Sequence, residues 1–385
     1  MKILHIGKFY PPFHGGIENF MCALMEQQVK DNHEVSALVH HHIKKQAFTK
    51  ESVNGVDVYK SRLIGQLLYA PISPLFIFHL YKIIKKIKPD IIHIHTPNLS
   101  AFWGLFLSSA RKIPWVIQWQ SDVIGAVPDF KVKLVYPFYR LFENALIKKS
   151  CKIIVATPPY AQTSIPLVGY TDKISVIPLA ISCDNISVIG ENKSSSSAIN
   201  LLMIGRLTYY KGHKLIIDAL AELKKQGMNF NLTIVGGGEL ESTIEQQIKS
   251  LQLKDKVTLL GKLSDEQLAS EMQNTDLLCL PSIERTEAFG VVLLEAMRAS
   301  KPCLVTDVHG SGMSWVVQDN KTGFVVQHNN VESLISKLAY ISEHPELLPM
   351  YGNAGRERFK AVFSIEAVSN KVTALYKEIQ LKLTK

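Results

Sequence analysis

The chain of 385 residues alternates short apolar runs with helical patterns along almost its whole length, and this alternation limits the folds it can adopt. Short apolar runs bounded by turn residues predict buried strands, and apolar residues that recur every third or fourth position predict helices packed on those strands. Alternating strands and helices form a parallel sheet covered on both faces. The predicted strands are residues 2–7, 34–40, 90–95, 115–120, 152–156, 199–204, 231–235, 257–259, 277–280 and 302–306.

A polar, serine-rich stretch at residues 191–197 interrupts this pattern and has the composition of a linker. A single core stops growing at about 250 to 300 residues, so the length also predicts two domains. We therefore expect an α/β protein with one Rossmann-like, doubly wound domain at residues 1–190 and a second at residues 198–362. Residues 363–385 are predicted to form a C-terminal helix that packs back on the first domain. Open α/β sheets bind ligands at the carboxyl ends of their strands, so we expect an inter-domain cleft to hold the site.

The positive charge of the chain is concentrated in its first half. Residues 1–180 carry 21 Lys plus Arg and 11 Asp plus Glu, whereas the net charge of the whole chain is +9. This asymmetry predicts an anionic partner for the first domain, either phospholipid headgroups or nucleic acid. The sequence has no recognisable nucleic-acid-binding module, so we expect no nucleic-acid partner. No apolar run reaches the roughly 18 residues of a membrane-spanning helix, and the first apolar run is too short for a signal peptide, so a cytoplasmic protein is expected.

The strongest local motif spans residues 286–297 and contains two carboxylates. Glu287 lies in a loop, Gly290 begins the next helix, and Glu295 lies on that helix. The backbone N–H groups of Phe289, Gly290 and Val291 at the positive end of this helix suit an anion. Two positions eight residues apart lie about 12 Å apart along a helix axis, which is too far for a pair acting across one glycosidic bond. The spacing instead suits carboxylates that hold two parts of one extended ligand.

A second motif, at residues 205–212, follows the first strand of the second domain and carries two cations, Arg206 and Lys211. Cations placed beside an anionic leaving group stabilise the transition state more than the ground state, because the negative charge grows as the bond breaks. The chain contains no Asp-x-Asp metal motif. We therefore expect these cations to replace a divalent metal, so that turnover needs neither a metal nor another cofactor.

Both motifs resemble those of the family-4 type glycosyltransferases of the GT-B fold, whose signature is a Glu-x7-Glu pair, and the resemblance covers nearly the whole chain. It implies two facing Rossmann-like domains and retaining transfer of a sugar from a nucleotide-diphosphate donor. The first domain would bind the acceptor and the second the nucleotide sugar. By resemblance, Glu287 contacts hydroxyls of the donor sugar, Glu295 holds the nucleotide ribose, and Arg206 and Lys211 receive the leaving diphosphate.

The resemblance assigns further positions to the donor. The backbone around Phe289, Gly290 and Val291 would meet the sugar and phosphates, and the loop with Gly15 and Gly16 would face the diphosphate. The remaining matched positions are Gly236 in a glycine turn and, near the nucleotide base, Lys262 and Leu263. For the two glycine loops, an ordinary turn is the alternative.

On the acceptor side we expect His95, Gln120 and Asp122. Related mannosyl and rhamnosyl transferases usually have histidine where this chain has Gln120. Glutamine cannot exchange a proton near neutral pH, so we expect no protein base at this position and expect the departing phosphate oxygen to accept the proton instead. His93 and His95 alternate on one predicted strand, but without convergent carboxylate or cysteine ligands we predict no metal site.

Basic and aromatic residues interleave at residues 75–88 and 130–140. This pattern is typical either of ordinary amphipathic core helices or of a membrane-docking face, and the charge of the first domain favours docking. We expect a peripheral protein at the inner face of the bacterial inner membrane. It would transfer a hexosyl unit, of the mannosyl type, to a lipid-linked saccharide in O-antigen, capsule or exopolysaccharide synthesis. The alternative is a nucleotide-sugar epimerase or a phosphorylase-like enzyme with the same two domains.

Overall fold

The computed structural model describes residues 1–13, 15–67, 70–123, 130–183 and 198–383. Its contacts divide the chain into two compact units. Met1–Ser182 and Ile365–Lys385 form the first unit, and Cys183–Ser364 form the second. The predicted boundary between residues 190 and 198 lies outside the described residues.

The first unit is built around a sheet of eight strands. Its described strands are β1 (Lys2–Ile6), β2 (Glu34–Lys44), β3 (Thr49–Val53), β4 (Val56–Leu63), β5 (Gly65–Leu67), β6 (Ala70–Ile72), β7 (Ile91–Thr96), β8 (Trp115–Trp119), β9 (Lys152–Val155) and β10 (Ile174–Val176). The main sheet has the order β10-β9-β8-β7-β1-β2-β4-β3, and β5 pairs with β6 separately. The helices before the second unit are α1 (Gly16–Lys30), α2 (Phe76–Ile87), α3 (Ser108–Arg111), α4 (Phe130–Lys149) and α5 (Pro158–Thr163).

The second unit contains a six-stranded parallel sheet in the order β13-β12-β11-β14-β15-β16. These strands are β11 (Ile199–Ile204), β12 (Phe230–Val235), β13 (Val257–Gly261), β14 (Leu277–Leu280), β15 (Cys303–Thr306) and β16 (Gly323–Val326). Its described helices are α6 (His213–Lys225), α7 (Glu241–Ser250), α8 (Asp265–Asn274), α9 (Val291–Arg298), α10 (Met313–Val316), α11 (Val331–Glu343) and α12 (Leu347–Arg358).

The chain then returns to the first unit as α13 (Ile365–Leu383). The Ile365 N–H donates to the Ile181 carbonyl at 3.1 Å, which ties the start of this helix to the end of the first segment. Ser369 Oγ donates to Asp31 Oδ2 at 2.7 Å, at the end of α1. The buried face of α13 includes Val372 and Tyr376, so the helix completes the core of the first unit.

The two doubly wound sheets confirm the predicted α/β fold class, and the sequence pattern was clearest for the central strands. All residues of β7 and β8 are buried, as expected for parallel strands covered on both faces. The predicted strands did not include β3, β4, β5, β6, β10 and β16. Strands β5, β6 and β10 have only three residues each, and β3 carries charged and exposed residues. In the main sheet of the first unit, β3 pairs with β4 in antiparallel orientation, whereas the other described strand pairs of that sheet are parallel. Among the described helices, none combines the length and apolar character needed to span a bilayer.

His40 on β2 is a buried histidine whose two ring nitrogens are both hydrogen-bonded. Its Nδ1–H donates to the Lys8 carbonyl at 2.7 Å, and its Nε2 accepts from Ser100 Oγ at 2.8 Å. These partners fix one neutral tautomer. Burial lowers the pKa of His40 to about 4, and the nearby Lys8 charge acts in the same direction.

We predict that protonation of His40 destabilises the first unit as the pH falls from about 6.5 to about 4. The folded-state pKa lies below the unfolded value, so in this window the unfolded state binds more protons and stability rises with pH, by up to about 1.4 kcal/mol per pH unit for one histidine. Urea unfolding of His40→Asn between pH 7 and 4.5 should show a shallower pH dependence than the wild type. His42→Asn, an exposed site on the same strand, is the control. Equal slopes for wild type and His40→Asn would contradict this assignment.

Candidate active site

The sheet of the second unit changes its winding direction between β11 and β14. The chain leaves β11 through α6 toward β12 on one side, and β14 lies on the other side of β11. The loops after these two strands therefore begin at adjacent carboxyl ends, at the point where open α/β sheets bind ligands. The first loop carries Arg206 and Lys211, and the second carries Glu287.

Glycines allow the loop after β11 to pack tightly against its neighbours. Gly212 has a φ of 77°, and a Cβ at this position would lie 2.0 Å from the Pro281 carbonyl oxygen. Gly205 has a φ of 154°, and a Cβ there would lie 3.1 Å from Lys211 Nζ. The Ile283 N–H donates to the Tyr210 carbonyl at 2.8 Å. The two loops are thus held together by backbone contacts that a side chain at Gly212 would prevent.

Lys211 and Glu287 form an ion pair across the two loops. Lys211 Nζ donates to Glu287 Oε2 at 2.5 Å, and each side chain is 12% exposed. The backbone of Glu287 is also fixed, because its N–H donates to the Glu284 carbonyl at 3.1 Å and its carbonyl accepts from Ser311 Oγ. An ammonium has three N–H donors, so the bond to Glu287 leaves Lys211 able to bind a further acceptor.

Arg206 lies on the same loop as Lys211 and is exposed. Its Nη2 is 3.4 Å from the hydroxyl of Tyr210, a long contact that uses one of five guanidinium donors. The loop therefore presents two cations of different kinds. Lys211 is sheltered and paired, whereas Arg206 reaches solvent with a planar fork suited to phosphate oxygens.

Helix α9 begins directly after the second loop without a side-chain cap. Its N-cap is Gly290, with a φ of 80°, and a Cβ there would lie 2.8 Å from Leu280 Cδ2. The first N–H groups of an uncapped helix lack intrahelical partners and favour an anion. Phe289 is buried against Phe363, with 6.2 Å between ring centroids, so the chain enters the helix along a fixed path.

Glu295 lies further along α9 and is partly buried. Burial raises the pKa of its carboxyl, and the Arg298 guanidinium opposes this rise. The structure therefore places both carboxylates of the motif on one loop and helix. Glu287 precedes the helix and Glu295 follows its first turn.

The glycine turn after β12 packs under the loop that carries the cations. A Cβ on Gly236 would lie 1.9 Å from the Gly205 carbonyl oxygen. The Gly236 N–H donates to the Gly261 carbonyl at 2.7 Å, which links the turn to the end of β13. Lys262 and Leu263 follow directly, Lys262 exposed and Leu263 partly buried. Gly236, Lys262 and Leu263 thus lie at the same edge of the sheet as the two cations.

The remaining predicted residues belong to the first unit. Gly15 is the N-cap of α1 and Gly16 is its first residue. Gln120 is buried after β8, and its Nε2 has no hydrogen-bond partner among the described residues. Asp122 Oδ1 accepts from Trp119 Nε1 at 2.9 Å and from Ser164 Oγ at 2.6 Å, so these bonds hold its loop in place.

His95 differs from the expectation that it lines the acceptor side. Its side chain is buried inside the sheet, where Nε2 lies 3.0 Å from Nδ1 of His5. Side chains alternate between the two faces of a strand, so His95 lies on the same face of β7 as His93. Helices cover that face, and the side chain of His95 therefore packs inside the unit. His95 is therefore a core residue in this structure.

Three charged residues of the first unit are shielded from solvent and were not among the predicted site residues. Lys8 follows β1, and Glu18 lies in the first turn of α1, where burial raises the pKa of its carboxyl and the Lys8 charge opposes the rise. Glu143 on α4 is buried 3.0 Å from Arg140, and burial raises its pKa to about 7. One signal for Glu143 was available, because it is a lone carboxylate within an aromatic helix segment.

Two protein families match consecutive parts of the chain. Residues 14–185 match the family described as Glycosyltransferase Family 4, and residues 189–358 match the family described as Glycosyl transferases group 1. The first match covers most of the first unit, and the second contains Arg206, Lys211, Glu287 and Glu295.

Two bacterial relatives align over nearly the full chain. O-antigen chain mannosyltransferase C of Escherichia coli is 26% identical, and the alignment covers 98% of each chain. D-rhamnosyltransferase WbpZ of Pseudomonas aeruginosa is 27% identical over 94% of this chain and 92% of that protein.

Solved structures show the same fold. Sucrose-phosphate synthase of Thermosynechococcus elongatus has a TM-score of 0.79 at 20% sequence identity, over 99% of both chains. Anabaena HepE in complex with UDP and glucose has a TM-score of 0.71 at 19% identity, over 98% of this chain and 100% of that chain. Two Rossmann-like units, the paired carboxylate and cation motifs and both family matches lead to one conclusion: the chain belongs to the family-4 type glycosyltransferases of the GT-B fold.

Proposed function

We propose that this glycosyltransferase moves a hexosyl unit, of the mannosyl type, from a nucleotide-diphosphate sugar to a lipid-linked glycan. The product would be an O-antigen, capsule or exopolysaccharide precursor. One observation carries the proposal: the Lys211–Glu287 ion pair lies where the sheet of the second unit reverses its winding, and Arg206 lies on the same loop as Lys211. The mannosyl and O-antigen assignments are supported by the aligned relative from E. coli.

In this proposal the second unit holds the donor through its diphosphate. Phosphate oxygens accept hydrogen bonds from the first N–H groups of α9 and from Lys211 and Arg206. The helix end and the two cations together offset the negative charge that develops on the leaving diphosphate, so they lower the barrier more than they strengthen donor binding. Arg206 and Lys211 take the part of a divalent cation, so the reaction proceeds without a metal.

The two carboxylates fix the sugars on either side of the diphosphate. Glu287 accepts from hydroxyls of the donor sugar, and its bond to Lys211 keeps the carboxylate oriented. Glu295 accepts from hydroxyls of the nucleotide ribose. Gly236, Lys262 and Leu263 lie near the base, as family resemblance implies, and Gly15 and Gly16 belong to the diphosphate side of the first unit.

The transfer retains the configuration of the sugar and uses no protein base. Gln120 offers an amide, which cannot take up a proton near neutral pH. The departing phosphate oxygen therefore accepts the proton of the acceptor hydroxyl on the face where the bond breaks. Gln120 and Asp122 act on the acceptor by hydrogen bonding alone.

We predict that Lys211→Ala and Glu287→Gln each lower transfer by about 100- to 1,000-fold, because each removes a group that acts on the transition state. The assay measures nucleoside diphosphate released from a panel of GDP-, UDP-, dTDP- and ADP-sugars in the presence of bacterial lipid extract. Lys214→Ala and Glu245→Gln, exposed sites in the same unit, are the controls. Activity of both site variants within about tenfold of the wild type would reject the proposed site.

We also propose that the first unit docks on the inner face of the bacterial inner membrane. Helix α4 exposes several large apolar side chains, among them Phe138, which is 71% exposed. Phe106 is exposed beside α4, with its ring centroid 6.2 Å from that of Phe142. A cluster of exposed aromatic side chains is unusual on a surface that faces only water.

Helix α2 adds lysines beside exposed rings. Lys82 Nζ lies 4.3 Å from the ring centroid of Phe78, and Lys85 Nζ lies 5.5 Å from that of Tyr81. Aromatic side chains at the headgroup boundary with lysines on anionic lipids are the arrangement expected of an interfacial surface. The net charge of +10 over residues 1–180 acts in the same direction.

We predict that the double variant Phe106→Asp/Phe138→Asp loses at least about tenfold of its binding to phosphatidylglycerol vesicles, because buried apolar area supplies part of the membrane affinity. Co-sedimentation measures the bound fraction, and thermal unfolding checks that the fold is kept. Met350→Asp, at an exposed apolar site of the second unit, is the matched control. Unchanged sedimentation of the double variant would end the docking proposal.

A further inference from the structure

Three buried histidines meet inside the sheet of the first unit. His5 lies on β1, and His93 and His95 lie on the adjacent strand β7. In register, His5 pairs with His93, so the three side chains project from the same face of the sheet. Gln118 on β8 pairs with His95 and joins this face, and it is also fully buried.

The ring nitrogens of these histidines converge. One ligand atom from each of the three lies within 4.8 Å of the other two. His5 Nδ1 is 3.0 Å from His95 Nε2, and the rings of His93 and His95 stack with centroids 4.7 Å apart. A nitrogen ligand binds zinc at about 2.0 to 2.1 Å, so the rings would turn to bring all three nitrogens to one ion.

The outer nitrogens of two histidines have partners on helices. His5 Nε2–H donates to Gln28 Oε1 on α1 at 2.8 Å. His93 Nδ1 is hydrogen-bonded to the hydroxyl of Tyr376 on α13. In metal sites, the nitrogen that does not bind the ion is held in this way by a neighbouring polar group, which fixes the ring and its tautomer.

Several buried atoms of these histidines and of Gln118 lack a hydrogen-bond partner among the described residues. These atoms are His93 Nε2, His95 Nδ1 and both amide atoms of Gln118. Buried polar atoms without partners are rare in proteins, and a bound ion or water is a usual explanation. Burial also lowers the pKa of His5 to about 4 and lowers those of His93 and His95, so all three are neutral, which is the form that binds a metal.

We propose that His5, His93 and His95 bind one divalent transition-metal ion of the zinc type, with the amide oxygen of Gln118 as a fourth ligand. Imidazole nitrogens favour zinc, copper, iron or nickel, whereas magnesium and calcium prefer oxygen ligands. The ion would be structural. It would join β1, β7 and β8, and through Gln28 and Tyr376 it would also anchor α1 and α13. The proposed sugar transfer uses other residues and does not depend on this site.

The test is the metal content of the untagged protein, expressed with added Zn²⁺ and dialysed against EDTA. Mass spectrometry of metals should find about one zinc ion per chain. His5→Asn should lower the content at least about tenfold, because the site loses one of three nitrogen ligands. His40→Asn, a buried histidine on the neighbouring strand β2, is the matched control and should keep the metal.

Refolding of the wild-type protein with Co²⁺ gives a second measurement that does not require a variant to fold. Bound Co²⁺ should show the visible absorption bands of tetrahedral nitrogen and oxygen coordination. Fewer than about 0.1 metal ions per chain after expression with zinc, together with no such bands after refolding, would overturn the proposal. The cluster would then be a neutral hydrogen-bonded network, with water at the unpartnered atoms.

Discussion

The close approach of two loops at the reversal of the second sheet is the constraint on which the candidate site depends. A Cβ on Gly212 would lie 2.0 Å from the carbonyl oxygen of Pro281, so only glycine lets the β11 loop lie against the β14 loop. This approach brings Lys211 within 2.5 Å of Glu287. Both groups are largely shielded from solvent. A shielded charge acts more strongly on a ligand than a charge in water does. A side chain at Gly212 would separate the cation from the carboxylate without touching either of them.

The strands of the second unit were predicted more completely than those of the first unit. Glu287, Gly290 and the two cations carry local signals, because residue type, spacing and position after a strand together indicate an anion site. A helix that begins at Gly290 and carries Glu295 was predicted, and the structure has α9 at Val291–Arg298 with Gly290 as its N-cap. Contacts between distant segments could not be predicted. The pairing of Lys211 with Glu287 links residues 76 positions apart, and no local pattern encodes their distance.

Contacts between distant segments were even harder to predict in the first unit. His95 was expected on the acceptor side, yet its side chain is buried against His5. The sequence separates these residues by 90 positions, and only the β1–β7 pairing brings them together. Tyr376 reaches the same cluster from α13, which follows the whole second unit. The apolar periodicity of each segment predicted that it would be buried, whereas the polar partners inside the core depend on strand order.

The central claim is that two cations and a helix end receive a diphosphate without a metal. Calorimetric titration of nucleoside diphosphates into the wild type and Lys211→Ala, first in EDTA and then in Mg²⁺, tests this claim most directly. The account predicts that one nucleoside diphosphate binds in EDTA, that Mg²⁺ changes its Kd by less than about twofold, and that Lys211→Ala weakens binding at least about tenfold, or about 1.4 kcal/mol. Binding that requires Mg²⁺, or that is unaffected by Lys211→Ala, would contradict it.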